Sequence, residues 1–223
     1  MTRRRPPTPS RQGRVSRVSE RRLRAAFAEV VAALGVPPDP ELARTPDRAA
    51  ELWARHLVAG AGVDLASTLG EAAPSKSTAP VSLFGLGVHL VCPHHLTVAF
   101  GQAHVAYVPG GRIVGFGALA RLVAAATSRL TLQEEATEVV AATLVEHLGA
   151  RAAVAVIDAV HPCHNVLHAR SHRAHAVTWA TTGEPAAARR LERDLRHALA
   201  DAARVSVTDD RPARRPAARP RRR

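Results

Sequence analysis

Long apolar runs, cysteine, lysine and internal repeats are all scarce or missing in this sequence of 223 residues. No apolar run is long enough to span a bilayer, which excludes a transmembrane helix. No repeat recurs at the periods of solenoid proteins, which excludes a repeat array. The N-terminus has no signal-peptide pattern, so we expect a soluble protein in the reducing cytoplasm. The apolar content of 46% is sufficient for a sizeable core.

The net charge of +12 is concentrated in two tails. Residues 1–17 hold six arginines and residues 211–223 hold seven, and neither segment has an acidic residue. Composition rich in proline and arginine cannot bury apolar surface, so we predict disorder for residues 1–18 and 204–223. Such tails could contact nucleic acid or anionic surfaces nonspecifically. The absence of aromatic residues between the arginines, and the presence of one lysine, Lys76, favour solvated tails of an arginine-rich protein instead.

Each of the two cysteines stands two residues from a histidine. Cys92 opens the segment CPHH, which ends in His95, and Cys163 closes the segment HPC. Zinc binds thiolate sulfur and imidazole nitrogen in a tetrahedron, and a catalytic site keeps three protein ligands so that water can take the fourth position. We therefore predict that Cys92, His95 and Cys163 hold Zn²⁺. The alternatives are two thiols buried in the core or a disulfide, which the expected reducing compartment disfavours.

Two further histidines lie inside the same segments. His94 and His161 remain once the three ligands are assigned. Imidazole is the side chain that most often transfers protons in catalysis near neutral pH. We predict that His94 and His161 act as acid and base toward a substrate beside the metal.

Changes in the spacing of apolar residues divide the chain. Apolar spacing predicts helices on both sides of the prolines at 37–40, with Thr45 and Pro46 as N-cap and first residue of the second helix. The pattern then turns to β-rich runs at Val81–Val91 and Val98–Val108, followed by two helices and two more strands. The order ββααββ predicts an α+β fold, in which an antiparallel four-stranded sheet carries two helices on one face and has open edges that favour oligomerisation. The predicted regions are an N-terminal helical region at 19–60, a loop at 61–80, the core at 81–183 and a C-terminal helix at 184–203.

These motifs in combination resemble the GTP cyclohydrolase I family, whose members are zinc enzymes that open the imidazole ring of guanine. Similarity extends through PDRAAELW near Asp47 and RLTLQEEATE from Arg129, and it covers roughly residues 23–183. The resemblance implies a tunnelling fold, ring-shaped homo-oligomers with active sites between subunits, and conversion of GTP to formate and 7,8-dihydroneopterin triphosphate. The matching blocks are C-x-H-H at Cys92–His95, A-V-H-x-C at Ala159–Cys163 and the Q-E pair at Gln133 and Glu134.

The resemblance also implies how a purine nucleotide would be bound. Glu134 would accept hydrogen bonds from the N1–H and the 2-amino group of guanine, with support from Gln133, and Arg48 and Arg121 would approach the phosphates. The residues alone allow another interpretation of Thr131–Glu134, as a capping box in which the glutamate bonds the N-cap amide. Arg48 likewise fits an exposed position in the first turn of a helix. Both alternatives stay open at this stage.

The sequence departs from the family pattern where a triphosphate would be held. Gly117 and Ala118 stand at the positions of a serine and a lysine, and Leu167 stands at that of an arginine. Pro93 replaces an acidic residue, whereas the metal and proton-transfer residues are complete. Two further hypotheses are therefore a paralogue that acts on a purine or pterin with fewer phosphates, and a weakly active oligomeric or RNA-associated protein. Candidate replacements for the lost phosphate contacts are Arg170, Arg173, His164, His168, His172 and His175.

Overall fold

The computed structural model describes residues 18–37, 39–167 and 174–209 of the chain. The first elements are α1 Glu20–Ala33, α2 Thr45–Leu52 with a π-helical turn Trp53–Leu57, α3 Leu65–Thr68, β1 Ala73–Pro74, β2 Val81–Val91, β3 Val98–Val108 and β4 Arg112–Ile113. The later elements are α4 Phe116–Thr127, α5 Gln133–Glu146, β5 Ala152–Val160, α6 Pro162–Leu167, β6 Ala176–Gly183 and α7 Pro185–Asp209.

A four-stranded antiparallel sheet forms the centre of the fold, in the strand order β2-β3-β5-β6. β3 and β5 pair without a break from Phe100 opposite Val160 to Val108 opposite Ala152. β5 is apolar along most of its length because other elements cover both of its faces. The predicted bounds of β2 and β3 match the structure, and the predicted α+β order ββααββ is confirmed.

α4 and α5 pack together on one face of this sheet and form the main core. Leu119 and Leu122 of α4 and Leu144 of α5 are fully buried in the same cluster as Tyr107 of β3. The Tyr107 hydroxyl accepts a hydrogen bond from the Val114 N–H at 3.3 Å, so the polar atom of this buried ring is satisfied. The predicted placement of two helices on one face is therefore right.

The opposite face of the sheet is partly covered by α7, which the sequence did not assign to a layer. Leu191 packs against Val154 of β5, and the Arg196 guanidinium carbon lies 3.7 Å from the centroid of the Trp179 ring. Because α7 covers this face, the β5 residues that point toward it are apolar, as are those that point toward α4 and α5. α7 also continues to Asp209, beyond the predicted end at residue 203.

The N-terminal helices contact the sheet at the end of β2. Leu57 of the π-helical turn packs against Val91, the last residue of that strand. α2 begins at Thr45, one residue before the predicted start, with Pro46 in its first turn. Its N-cap is Arg44, without a side-chain hydrogen bond, and not Thr45. A one-residue shift of this kind is common at helix ends.

One of the segments that flank the core differs from the prediction. The predicted loop at 61–80 contains α3 and β1, and β1 pairs with β4 through Ala73 opposite Ile113. The predicted basic tails lie outside the described residues apart from Val18 and the last turns of α7. None of the described helices combines the length and the apolar character that crossing a membrane requires.

Candidate metal centre and active-site cavity

The hairpin loop between β2 and β3 brings the first two predicted ligands together. The Cys92 N–H donates to the Thr97 carbonyl at 2.9 Å, and the Leu96 N–H donates to the Cys92 carbonyl at 2.9 Å. Leu96 has φ 55, in the left-handed region that a leucine rarely adopts. This reversal of the backbone leaves Cys92 Sγ 3.8 Å from His95 Nδ1.

The third predicted ligand arrives from the neighbouring strand. β5 ends at Val160 directly opposite Phe100 of β3, so the residues that follow β5 lie beside the hairpin loop. Cys163 stands there in the first turn of α6. Both cysteines are free thiols, so the disulfide alternative is not realised. The ligand atoms of Cys92, His95 and Cys163 all lie within 4.8 Å of one another.

This donor set fits a zinc ion. With bonds of about 2.3 Å to sulfur and about 2.0 Å to nitrogen, two ligands of a tetrahedron lie about 3.6 Å apart. The 3.8 Å between Cys92 Sγ and His95 Nδ1 is close to that distance. Thiolate and imidazole are ligands that zinc takes readily, and three of them leave a position for water.

The connection between α4 and α5 forms another wall of the site. The Val91 N–H donates to the Arg129 carbonyl at 3.0 Å, and the Thr131 N–H donates to the Val91 carbonyl at 3.2 Å. These bonds hold the start of α5 beside the hairpin loop. A cavity of about 490 Å³ lies between the two. Its lining includes the three ligands with His94, Gln133, Glu134, His161, His164, Leu167 and His175.

The two histidines predicted to transfer protons both line this cavity, in different surroundings. The His94 ring is exposed, and its centroid lies 6.1 Å from that of His95. His161 is half-buried, and its Nε2 lies 2.7 Å from Gln133 Oε1. Burial lowers the pKa of His161; the Glu134 carboxylate acts in the opposite direction, and His164 adds to the lowering.

Both ends of the Gln133 side-chain amide form hydrogen bonds within the protein. It is 4% exposed, and its Nε2 donates to the carbonyls of Ile157 and Ala176, both at 2.9 Å, and to Thr178 Oγ1 at 3.2 Å. With Oε1 on His161, the side-chain amide has partners for both of its ends. The resemblance implied a contact of Gln133 with the purine, and sequence reasoning missed these hydrogen bonds because they reach across two strands.

Glu134 does not cap its helix. The N-cap of α5 is Leu132, which has no side-chain hydrogen bond, and the Thr131 hydroxyl contacts Glu135 instead, at 3.3 Å. The capping-box alternative is therefore wrong. Glu134 is exposed and lines the cavity, as a residue that binds substrate requires.

The predicted phosphate-binding arginines lie elsewhere in the chain. Arg48 is exposed on α2, and the Arg121 Nε on α4 donates to the Thr68 carbonyl at 3.3 Å. Neither is among the described residues that line the cavity. Ala118 is 5% exposed and belongs to the main core, whereas Leu167 lines the cavity and is 63% exposed. The other candidate replacements Arg170, Arg173, His168 and His172 lie outside the described residues.

Asp158 is a residue of the site that sequence reasoning missed. Its carboxylate bonds Nδ1 of His175, and His175 lines the cavity. The signal that could have found it is a single carboxylate within the otherwise apolar run AAVAVIDAV, because a charged residue in a buried strand usually has a partner.

The fold and the site together define a class of protein: an α+β protein that gathers two thiols and an imidazole, a donor set suited to zinc, at the ends of its strands. Comparison with known proteins identifies the family within that class. The family model for GTP cyclohydrolase I matches residues 23–199, and the chain belongs to this family.

Several similar proteins bear the name GTP cyclohydrolase 1. That of Chromobacterium violaceum is 42% identical over 139 residues, which are 62% of this chain and 68% of the relative. That of Leifsonia xyli subsp. xyli is 38% identical over 73% of this chain and 86% of the relative, and that of Bacillus subtilis is 32% identical over 74% and 88%. A crystal structure of the archaeosine synthase QueF-Like in the apo form has a TM-score of 0.40 and 17% identity, over 49% of this chain and 98% of that chain.

Proposed function

We propose that the protein is a zinc-dependent GTP cyclohydrolase that opens the imidazole ring of GTP, releases formate and forms 7,8-dihydroneopterin triphosphate. The observation that carries the proposal is the convergence of Cys92, His95 and Cys163 at a cavity that also contains Glu134 and His161. Membership of the GTP cyclohydrolase I family supports the substrate.

Cys92, His95 and Cys163 are the residues that would hold zinc. When bound, the ion would supply Lewis-acid activation of water for hydrolysis at C8 of the purine. The chain holds these ligands on short, hydrogen-bonded connections. Cys92 is closed into the hairpin loop by bonds to Thr97 and Leu96, and Cys163 sits in a helical turn whose amides donate to a carbonyl at the end of β5.

His94 and His161 transfer the protons of the reaction. Protons must reach the ring nitrogens as the C8–N9 bond breaks, and these two rings line the cavity without belonging to the ligand set. His161 is held by Gln133, whereas His94 lies on the exposed loop. A positioned general acid or base typically accelerates a reaction by a factor of roughly 10² to 10⁴.

Glu134 recognises the purine. A carboxylate that accepts from both N1–H and the 2-amino group selects guanine over adenine, which presents no donor at N1. Leu90, Ala99 and Leu132 provide apolar walls in the same cavity, as a planar base requires.

The triphosphate is held differently from the purine. Among the described residues that line the cavity there is no arginine or lysine. The sheet has β2 and β6 at its edges, and edge strands can pair with a second copy of the chain. We therefore propose a homo-oligomer, with a ring as the form that the family resemblance favours, in which Arg48 or Arg121 of a neighbouring copy approaches the phosphates.

A second candidate function is hydrolysis of a purine or pterin with fewer phosphates. The observation that favours it is Leu167, which lines the cavity and is mostly exposed at the position where the family pattern has an arginine. An apolar side chain there offers no hydrogen bond to a phosphate.

One experiment tests both candidates. The zinc-loaded full-length protein is incubated with GTP, GDP, GMP and guanosine, and formate and pterin fluorescence are measured, with Cys163→Ser as the control. Formate and a fluorescent pterin from GTP are expected. Higher kcat/KM for GMP or guanosine would favour the second candidate. No formate from any purine would contradict the first candidate and the purine form of the second.

A further inference from the structure

The orientation of the Gln133 side-chain amide is determined by its neighbours. Two of these neighbours are the carbonyl oxygens of Ile157 and Ala176, each 2.9 Å from the same amide atom. A carbonyl oxygen can only accept a hydrogen bond, so the atom between them must be the NH₂ group. The flipped amide would place three oxygens against one another, and this orientation is therefore excluded.

The hydroxyl groups beside Gln133 agree with that orientation. Thr137 Oγ1 donates to the backbone carbonyl of Gln133 at 2.6 Å, which uses its only proton. Thr178 Oγ1 lies 2.6 Å from Thr137 Oγ1 and must donate to it, so Thr178 keeps a lone pair for the Gln133 NH₂ at 3.2 Å. With this orientation every donor in the group has an acceptor, and the two amide hydrogens are shared among three acceptors.

The orientation of Gln133 determines the tautomer of His161. Because the NH₂ end faces the two carbonyls, the Oε1 end faces His161 Nε2, at 2.7 Å. An amide oxygen only accepts, so Nε2 carries the hydrogen. In the neutral ring the other nitrogen, Nδ1, then has the lone pair.

The amide is also held against rotation. Gln133 is the first residue of α5 and is buried, and its carbonyl acceptors lie within β5 and at the start of β6. Turning the amide would break its bonds to both strands and place its oxygen against the Ile157 and Ala176 carbonyls.

We infer that Gln133 is a positioning residue, which holds His161 as the Nε2–H tautomer and leaves Nδ1 as the atom that accepts a proton during the reaction. The inference rests on the proposed function for the proton transfer, but the tautomer itself follows from the hydrogen bonds alone. It also replaces the contact between Gln133 and the purine that the family resemblance implied.

The tautomer can be measured without turnover. We suggest ¹⁵N solid-state NMR of the zinc-loaded, full-length protein labelled at histidine, at a pH where the His161 ring is neutral, with the His161 signals assigned by their loss in His161→Ala. A protonated Nε2 and an unprotonated Nδ1 are expected. A protonated Nδ1 would overturn the inference, whether or not the protein hydrolyses GTP.

Kinetics then separate positioning from purine binding. In Gln133→Leu, kcat should fall roughly 10- to 100-fold, as for other residues that orient a functional histidine, with KM for GTP and zinc content unchanged. A rise in KM at constant kcat would instead indicate a purine contact and contradict the inference. Thr143→Val is the matched control, because it removes a buried hydroxyl from the same helix. Among the described residues this hydroxyl donates to the Val139 carbonyl alone. If Gln133→Leu does not fold, the NMR measurement on the wild type decides alone.

Discussion

The histidines around the cavity differ in the group to which each ring is bonded, and that group sets what the ring can do. His95 faces a cysteine sulfur at 3.8 Å, which suits a metal ligand. His161 bonds the amide oxygen of Gln133, and His175 bonds the carboxylate of Asp158. In His161 and His175 one ring nitrogen forms a hydrogen bond within the protein, and the other can bind a ligand or a proton.

The roles of ligand and proton carrier can be separated by substitution. We expect His94→Ala and His161→Ala to lower kcat by roughly 10² to 10⁴ with zinc content unchanged. Cys163→Ser should lose zinc, because it removes one of two thiolates. Formate release and elemental analysis measure the two properties. Full activity in His161→Ala would contradict its role.

Leu167 offers a test of how the phosphates are held. A charged hydrogen bond contributes about 1.5–3 kcal/mol, so Leu167→Arg should lower KM for GTP roughly 10- to 100-fold and leave that for guanosine unchanged. The comparison variant is Ala118→Lys, which places a charge in the main core, where Ala118 is buried. That variant should lose stability without a gain for GTP. An equal gain for guanosine in Leu167→Arg would rule out a phosphate contact.

At the scale of elements, the site depends on the connections between strands more than on the strands themselves. The hairpin loop after β2 supplies two of the proposed ligands, and α6 after β5 supplies the third. The start of α5 is tied to the same place through Val91. The sheet supplies the rigid frame that aligns these connections, as is usual for functional loops.

The left-handed residue of the hairpin loop gives a prediction about stability. A non-glycine residue in this conformation costs about 1–2 kcal/mol, and the Leu96 side chain is 55% exposed, so its removal costs little. Leu96→Gly should therefore keep or raise the melting temperature and retain zinc. Leu96→Val should lower both the melting temperature and the zinc affinity, because a branched Cβ fits this conformation worst. Calorimetry and chelator competition measure the two. A loss of zinc in Leu96→Gly would contradict this account.

The bulge in β2 gives a prediction about pH. The pairing with β3 shifts between Leu83 and Leu86, and the Gly85 N–H donates to His104 Nδ1 at 3.2 Å. Burial lowers the pKa of His104 below its ordinary value of 6.5, against the opposing effect of Asp158. The folded state thus prefers the neutral ring, so this contribution to stability is present above pH 6.5 and is lost as the pH falls through the folded-state pKa.

The His104→Asn variant tests this assignment. Its amide oxygen can accept from the Gly85 N–H but does not titrate. Urea unfolding midpoints measured across this pH range should fall less steeply with decreasing pH in the variant than in the wild type. Identical slopes would contradict the role of His104.

At the scale of the whole molecule, the excess of positive charge and the proposed chemistry occupy different parts of the chain. The thirteen arginines of residues 1–17 and 211–223 lie outside the region 23–199 that matches the family. Deletion of both segments should therefore leave kcat and KM for GTP unchanged. It should also weaken any salt-dependent binding to nucleic acid, which scales with the number of cationic contacts. A truncated protein that folds and assembles but shows no turnover would contradict this prediction.

The sequence by itself determined the order of the elements and indicated a candidate ligand set. Both depend on information that is local in the chain. Strand and helix periods predicted Val81–Val91 and Val98–Val108 to the residue, because each strand must present an apolar face to one layer. The chemistry of thiol and imidazole indicated Cys92, His95 and Cys163, and the structure brings their ligand atoms together.

The tertiary structure alone decided which groups meet across the sheet. Gln133 bonds His161 and two strand carbonyls, Asp158 bonds His175, and Ala118 is buried in the core. Each of these facts depends on which strands are neighbours and on their register, and one residue of slip would turn the side chains to the other face. Periodicity within a segment carries no information about that register, so the partners of these side chains could be found only from the folded chain.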